Sequence, residues 1–341
     1  MPVTNSGQIS RKGQAGKDQL SRKDQYRVLV VGLGSIGLYY DWGCDTDEKV
    51  LTHSHAFSLH EHFALVAGVD PSAQAQSDFQ QRFNRPAFSC LDDIPDSLSF
   101  DVVVIANPTP FHVETFLSVI NRFNPRCVLC EKPVGYSLQD IERISQQCVR
   151  TCTDFFVNYI RRSDPGTRQI KQYLALGDEN PARGVVWYSK GFVHNGSHFV
   201  DLLSFLLGDF VSANVVEVHS KSPNGDFLAD IDLSFRHGRV SFKSLGANMA
   251  NYNSLELFCH KGWLEYKEGG RKVCWHPNSD MPAQDGYYLL SGGNLIIPTE
   301  MTRYQWHVVQ DLHRELQGER TDLCRISDAK IIHQIVNELV V

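Results

Sequence analysis

The sequence predicts an α/β chain, with a Rossmann-type doubly wound parallel sheet followed by an α/β domain carrying an open, mainly antiparallel sheet. Three observations predict it. From Tyr26 to Val157, continuous apolar runs alternate with amphipathic segments, as buried parallel strands and their covering helices do. The first run, Val28 to Val31, stops at glycines spaced G-x-G-x-x-G. Beyond about residue 160, runs alternating apolar and polar positions are joined by Pro-Asn-Gly, His-Gly and Lys-Gly, the pattern of antiparallel strands with one open face.

At 341 residues the chain suits two domains, each able to bury a core. We draw them as residues 25–158 and 159–341, behind a polar arm, residues 1–24, with five basic and two acidic side chains and no apolar periodicity. The balance of 33 basic against 39 acidic residues recommends neither nucleic acid nor an anionic membrane as partner. No apolar run approaches the ~20 residues of a spanning helix, and the N-terminus lacks a signal-peptide core, so a cytoplasmic location is expected. Nine cysteines, an odd and scattered set, read as reduced thiols.

Each element of the first domain has its local reason. Gly32 permits a tight turn, Gly34 lets backbone approach a pyrophosphate, and Gly37 lets the following helix pack on the strand, with the Ser35 and Ile36 amides at the anion. The second strand, through Val69, ends in Asp70, which can accept hydrogen bonds from a ribose and repel a 2′-phosphate; the cofactor expected is therefore NAD rather than NADP. Asp70 follows Gly37 by 33 positions, against roughly 20 in the usual fingerprint, so Tyr39 to Val50 is placed as an insertion. Helices follow over Pro71–Phe83, Pro110–Arg122 and Ser137–Val149, and strands over Phe100–Ala106, Cys127–Cys130 and Phe155–Val157.

The Cys127-x-x-Cys130 pair lies in a strand, where positions three apart face opposite sides, so both are expected as buried small hydrophobes. Cys148 and Cys152 have no second pair at zinc spacing, and His53, His55, His60 and His62 form no ligand set; no metal is expected. In the second domain, a helix over Asp164–Leu176 precedes extended runs at Val185–Phe192, Val211–Ser220, Phe227–Arg236, Val240–Leu245 and Ser254–His260. Few helices remain to cover that sheet, so self-association across it, as homodimer or homotetramer, is expected. Helices over Met301–Gln317 and Ser327–Val341 are expected to return toward the first domain.

Ligand chemistry in an open α/β sheet gathers at the carboxyl ends of its strands. Three clusters fall there: the turn Asn107-Pro108-Thr109-Pro110-Phe111-His112, then Glu131-Lys132-Pro133, then His194-Asn195-Gly196-Ser197-His198, with Asp201 one helical turn beyond His198. Oxidising a carbinol requires a hydride acceptor and a base for the hydroxyl proton, and Lys132 and His198 suit the base and its partner. Asp201 is a candidate to orient His198 or bind sugar hydroxyls, and Arg162 to hold an anionic group.

Taken together, the glycine fingerprint, the strand ending in Asp70, the Pro108–His112 turn, Glu131-Lys132-Pro133, Asn158 to Pro165 with Arg162, and His198-x-x-Asp201 resemble the Gfo/Idh/MocA family, whose namesakes are glucose-fructose oxidoreductase and inositol dehydrogenase. The resemblance implies a nicotinamide cofactor contacted by Gly32, Gly34, Ser35, Ile36, Gly37, Asp70, Asn107, Pro108, His112, Glu131 and Lys132. It implies sugars, cyclitols or nucleotide sugars as substrates, bound by Arg162, His194, Asn195 and Asp201, and Lys132 and His198 as the active-site pair. Two positions depart from the family pattern: His194 stands where many members carry Asp, and Asn107 where many carry Thr. Alternative readings are an enzyme that uses bound NAD in a transient oxidation enabling elimination or glycoside cleavage, and a nicotinamide-binding regulator without turnover.

Overall fold

The computed structural model describes residues 25–44, 46–174, 181–222, 225–246, 249–283 and 286–340, so the arm at 1–24 lies outside the described residues. Strands β1 (Tyr26–Val31), β2 (Phe63–Val69), β3 (Ala87–Phe88), β4 (Val102–Ile105), β5 (Cys127–Cys130) and β6 (Asp154–Val157) form a parallel sheet in the order 3-2-1-4-5-6. This is the Rossmann order, with its switch point between β1 and β4. Helices α1 (His53–Leu59), α2 (Ala73–Phe83), α3 (His112–Phe123) and α4 (Leu138–Thr151) connect the strands. The start of α4 is fixed by a reciprocal capping box between Ser137 and Asp140. Cys127 and Cys130 are buried in separate apolar clusters on the two faces of the sheet, as three-residue spacing along a strand requires.

The expected helix behind the glycines is only one π-helical turn, Ser35–Tyr39. The inserted stretch interrupts it, and the helix pattern resumes at α1. Asp41, fully buried, holds the insertion. Its carboxylate accepts from Leu51 N (2.7 Å), Thr52 N (2.9 Å) and Thr52 Oγ1 (2.8 Å), pairs with His55 Nδ1 (3.2 Å), and meets Arg82 at 3.1 Å. Burial alone would raise its pKa, but these donors outweigh burial and keep it ionised far below the usual carboxylate range.

The second half builds an eight-stranded sheet from β7 (Ala182–Tyr188), β8 (Phe210–Lys221), β9 (Phe227–Phe235), β10 (Gly238–Ser244), β11 (Ser254–Cys259), β12 (Gly262–Lys267), β13 (Lys272–Pro277) and β14 (Leu295–Ile296), in the order 14-13-12-11-7-10-9-8. All pairings are antiparallel except β7 with β10, because β7 enters the sheet centrally and is separated from β10 by a helix and a hairpin. The inner face, for example Phe227, Ala229, Ile231, Leu233 and Phe235 on β9, is covered by α5 (Pro165–Leu174) and α6 (Ser197–Leu207). Strands β12 to β14 were not legible as separate runs: β12 and β13 are six residues each and mix polar or charged side chains with apolar ones, and β14 is two residues long.

Both final helices bridge the halves. From α7 (Tyr304–Leu316), Val308, Val309 and Leu312 join the core of the first sheet beside Val28 and Val30. Then β15 (Cys324–Arg325) pairs antiparallel with β6 as a seventh strand of the first sheet, and α8 (Ile326–Val340) packs on α4 and α6.

Candidate active site

A cleft of about 740 Å³ opens at the carboxyl ends of β1, β2 and β4. Gly32, Gly34, Ser35, Ile36, Asp70, Asn107 and Pro108 line it, as does Tyr40 of the insertion. Each glycine does separate work. Gly32 has φ of +99°, and a Cβ there would stand 2.3 Å from Asn107 N; at Gly37 a Cβ would stand 2.0 Å from the Gly32 carbonyl. Around Gly34 nothing lies within 4 Å, so its backbone is open to a ligand. Asp70 secures the loop from below, accepting from Leu33 N (2.8 Å) and Ser72 N (2.9 Å), with lone pairs remaining on its carboxylate.

A second cavity, about 530 Å³, adjoins it past Pro108 and is lined by Thr109, Pro133, Lys190, His194 and Asp226 among others. Glu131 and Lys132 follow β5, immediately before the cavity-lining Pro133. Glu131 Oε1 accepts from His53 Nε2 (2.8 Å) and Asn158 Nδ2 (2.6 Å). Burial alone would raise its pKa; those two donors reverse the shift and hold it low. Lys132 Nζ donates to the His194 carbonyl at 3.0 Å. Burial pulls the Lys132 pKa below that of a free lysine; Glu131 opposes this and Arg161 adds to it.

His198 sits at the start of α6 with its ring edge-on to Tyr159 at 5.6 Å, and its Nδ1 is buried without a hydrogen-bond partner. Burial, then the charges of Lys132 and Arg161, push its pKa well below the usual histidine value, so the ring is neutral at pH 7. Lys132 from the first sheet and His198 from the second half thus share one electrostatic environment, the arrangement a proton transfer at a bound hydroxyl needs.

The sequence model of the oxidoreductase family with an NAD-binding Rossmann fold matches residues 26–159. That match covers the first domain only, less than half of the chain. It is 23% identical over 234 residues to scyllo-inositol 2-dehydrogenase (NAD(+)) of Bacillus subtilis strain 168, covering 61% of this chain and 62% of that one. It is 20% identical over 215 residues to 2,7-anhydro-N-acetylneuraminate hydratase of Escherichia coli K12, covering 56% and 57%. Both matches span less than two thirds of the relative's length. The fold matches the WlbA dehydrogenase of Bordetella pertussis, solved with NADH and UDP-GlcNAcA, with a TM-score of 0.69 at 17% identity over 92% of this chain and 96% of that one.

Several residues stand elsewhere than expected. The Arg162 guanidinium is bound by both oxygens of Asp201 (Nε–Oδ2 2.9 Å, Nη2–Oδ1 2.8 Å) and by Asp328 at 3.1 Å. Burial would lower its pKa, but Asp201 outweighs that and keeps the cation above its usual value. Arg162 and Asp201 are therefore consumed by each other, and Asp201 does not orient His198. Asn195 Nδ2 donates to the Ser189 carbonyl (2.9 Å), and the exposed His194 contributes its backbone: its carbonyl to Lys132 and its amide to Asp226 at 3.0 Å.

His112 does not line the cleft. Its ring lies between the carbonyls of Asn107 (2.7 Å) and Pro133 (2.9 Å), tying the cofactor turn to Lys132-Pro133; burial lowers its pKa, so one N–H serves one carbonyl at a time. The sequence reading missed the roles of His53, Asn158 and Arg161. Only their being polar beside apolar runs could have signalled them, since their partners lie 78, 27 and 108 positions away. Among the described residues, Glu265, Cys274 and His276 place donor atoms within 4.8 Å of one another on the second sheet, where Glu265 is already paired with His276 and Lys267.

Proposed function

We propose that this chain is an NAD-dependent oxidoreductase that moves a hydride between nicotinamide and a hydroxyl-bearing carbon of a sugar, cyclitol or nucleotide sugar. The observation that carries the reading is Lys132, bonded to the cavity-lining His194 and acting on His198 beside the second cavity. The bound nicotinamide would supply the hydride acceptor. Gly32, Gly34, Ser35, Ile36 and Asn107 would hold it through the backbone, and Asp70 would take the ribose hydroxyls, favouring NAD over NADP.

In the oxidation direction, with bound nicotinamide supplying the hydride acceptor, the O–H proton would pass to Lys132 in its deprotonated form. Lys132 suits the base because burial brings its pKa down toward the working pH, whereas His198, held neutral, accepts a hydrogen bond from the substrate and fixes its angle. Glu131, locked by His53 and Asn158, sets the position of Lys132.

The outer face of the second sheet exposes Trp187 and Phe258 and stacks Phe258 on Trp263 at 5.3 Å, which supports self-association of the chain as homodimer or homotetramer. No helix among the described residues is long and apolar enough to cross a membrane, and all nine cysteines are unpaired, consistent with a cytoplasmic setting.

The test is growth of the NADH absorbance band with a panel of cyclitols, free sugars, sugar acids and nucleotide sugars. Stoichiometric NADH release with one class is the expected result. Turnover that leaves bound cofactor unchanged while an elimination product forms would favour the transient-oxidation chemistry, and NAD binding without any turnover would favour a regulator.

A further inference from the structure

Arg161 and Arg162 are adjacent in sequence but differ in charge balance. Two carboxylates neutralise Arg162. Arg161 donates through Nε to the Gly269 carbonyl (3.2 Å) and lies over the Phe199 ring at 5.5 Å, yet its Nη1 is buried with no hydrogen-bond partner. Among the described residues no Asp or Glu lies within ion-pair distance of it; the Tyr266 hydroxyl and Asp201, which is already bound by Arg162, act on it without pairing. A guanidinium cannot shed its charge at any ordinary pH, and a buried cation without a counter-ion is strongly unfavourable, so the missing partner is a feature to be explained.

The neighbouring carboxylates are committed elsewhere. Glu131 is held by His53 and Asn158, Asp201 by Arg162, and Asp226 by the amides of Val193, His194 and Phe227. The cations acting on His198 are Lys132 and Arg161; Glu131 and Asp226 act on Lys132, so the cation left without a hydrogen-bonded carboxylate is Arg161. A neutral polyol would leave the Arg161 guanidinium without an anionic acceptor.

We infer that the substrate carries an oxyanion and that Arg161 receives this carboxylate or phosphate beside Lys132 and His198. This rests on the dehydrogenase reading above for the location of the substrate. Arg161 offers paired N–H donors, a geometry that fits both kinds of oxyanion.

The test compares glucose, glucuronate and glucose 6-phosphate, titrated into the full chain saturated with NAD and followed by tryptophan fluorescence. At least one acid should bind roughly 10–100-fold more tightly than glucose, as expected for charge-assisted bonds, and which acid wins tells carboxylate from phosphate. Arg161→Gln should erase the difference and Arg161→Lys should restore part of it, with NAD affinity as the check on folding. Equal or undetectable binding of acids and glucose to the unaltered chain overturns the inference without any variant. So does a preference that persists in Arg161→Gln, which would leave Arg161 as a brace for the Gly269 turn. NADH formation is recorded separately: its absence with the wider panel would fell the dehydrogenase reading, while the binding comparison still decides the oxyanion.

Discussion

The proposed cofactor cleft and the proposed reacting site stand side by side but are built from different materials. The cleft is mostly backbone: a glycine with positive φ, a second glycine open to the ligand, a third pressed against a carbonyl, and one carboxylate that also fastens the loop. The reacting site is side chains drawn from distant segments and held by buried polar pairs: His53 and Asn158 on Glu131, Lys132 on His194, Asp201 and Asp328 on Arg162. Backbone sites depend on local conformation, so they tolerate change around them but not within the loop. Side-chain sites depend on networks in which each missing partner strands a charge.

The largest expected effect tests whether the reacting site is chemical at all. Lys132→Ala should lower turnover by roughly 10²–10⁴-fold, the range for a lost acid–base group, while NAD still binds in the untouched cleft. Its pH profile supplies a second readout. Because burial lowers the Lys132 pKa, the oxidation rate should rise with pH as the amine deprotonates and level off below the pH of a free lysine, and this limb should vanish in the variant. Full turnover in Lys132→Ala would remove the assignment.

Next comes Arg162→Ala, which leaves Asp201 buried without its partner; chemical denaturation should show a loss of about 3–5 kcal/mol. A loss under ~1 kcal/mol would mean that the pair is not structural, and would reopen Arg162 as a ligand-binding group. Smallest is Asp70→Ala, which should narrow the preference for NAD over NADP by about 1–3 kcal/mol in paired titrations. An unchanged preference would show that the cleft reads the ribose by other means.

The same contrast explains what was legible from residues alone. Gly32, Gly34, Gly37 and Asp70 announce themselves because a backbone site leaves a local pattern, and β1 through β6 follow from continuous apolar runs. Lys132 and His198 were found through family resemblance and strand ends. Which of two neighbouring arginines would be neutralised was not legible, since Asp201 and Asp328 reach Arg162 across 39 and 166 positions. The break at Tyr39 was legible as an insertion, but neither the π geometry of the short turn before it nor the anchoring of the insertion by Asp41 was.

The pairing of β15 with β6 bears on how the chain is made. During synthesis the parallel sheet emerges first, with the edge of β6 bare and Phe156 without the Arg325 guanidinium that finally lies over it at 5.1 Å. The first sheet therefore gains its seventh strand only after synthesis has passed Arg325, and until then the edge of β6 is a surface that a chaperone would be expected to shield.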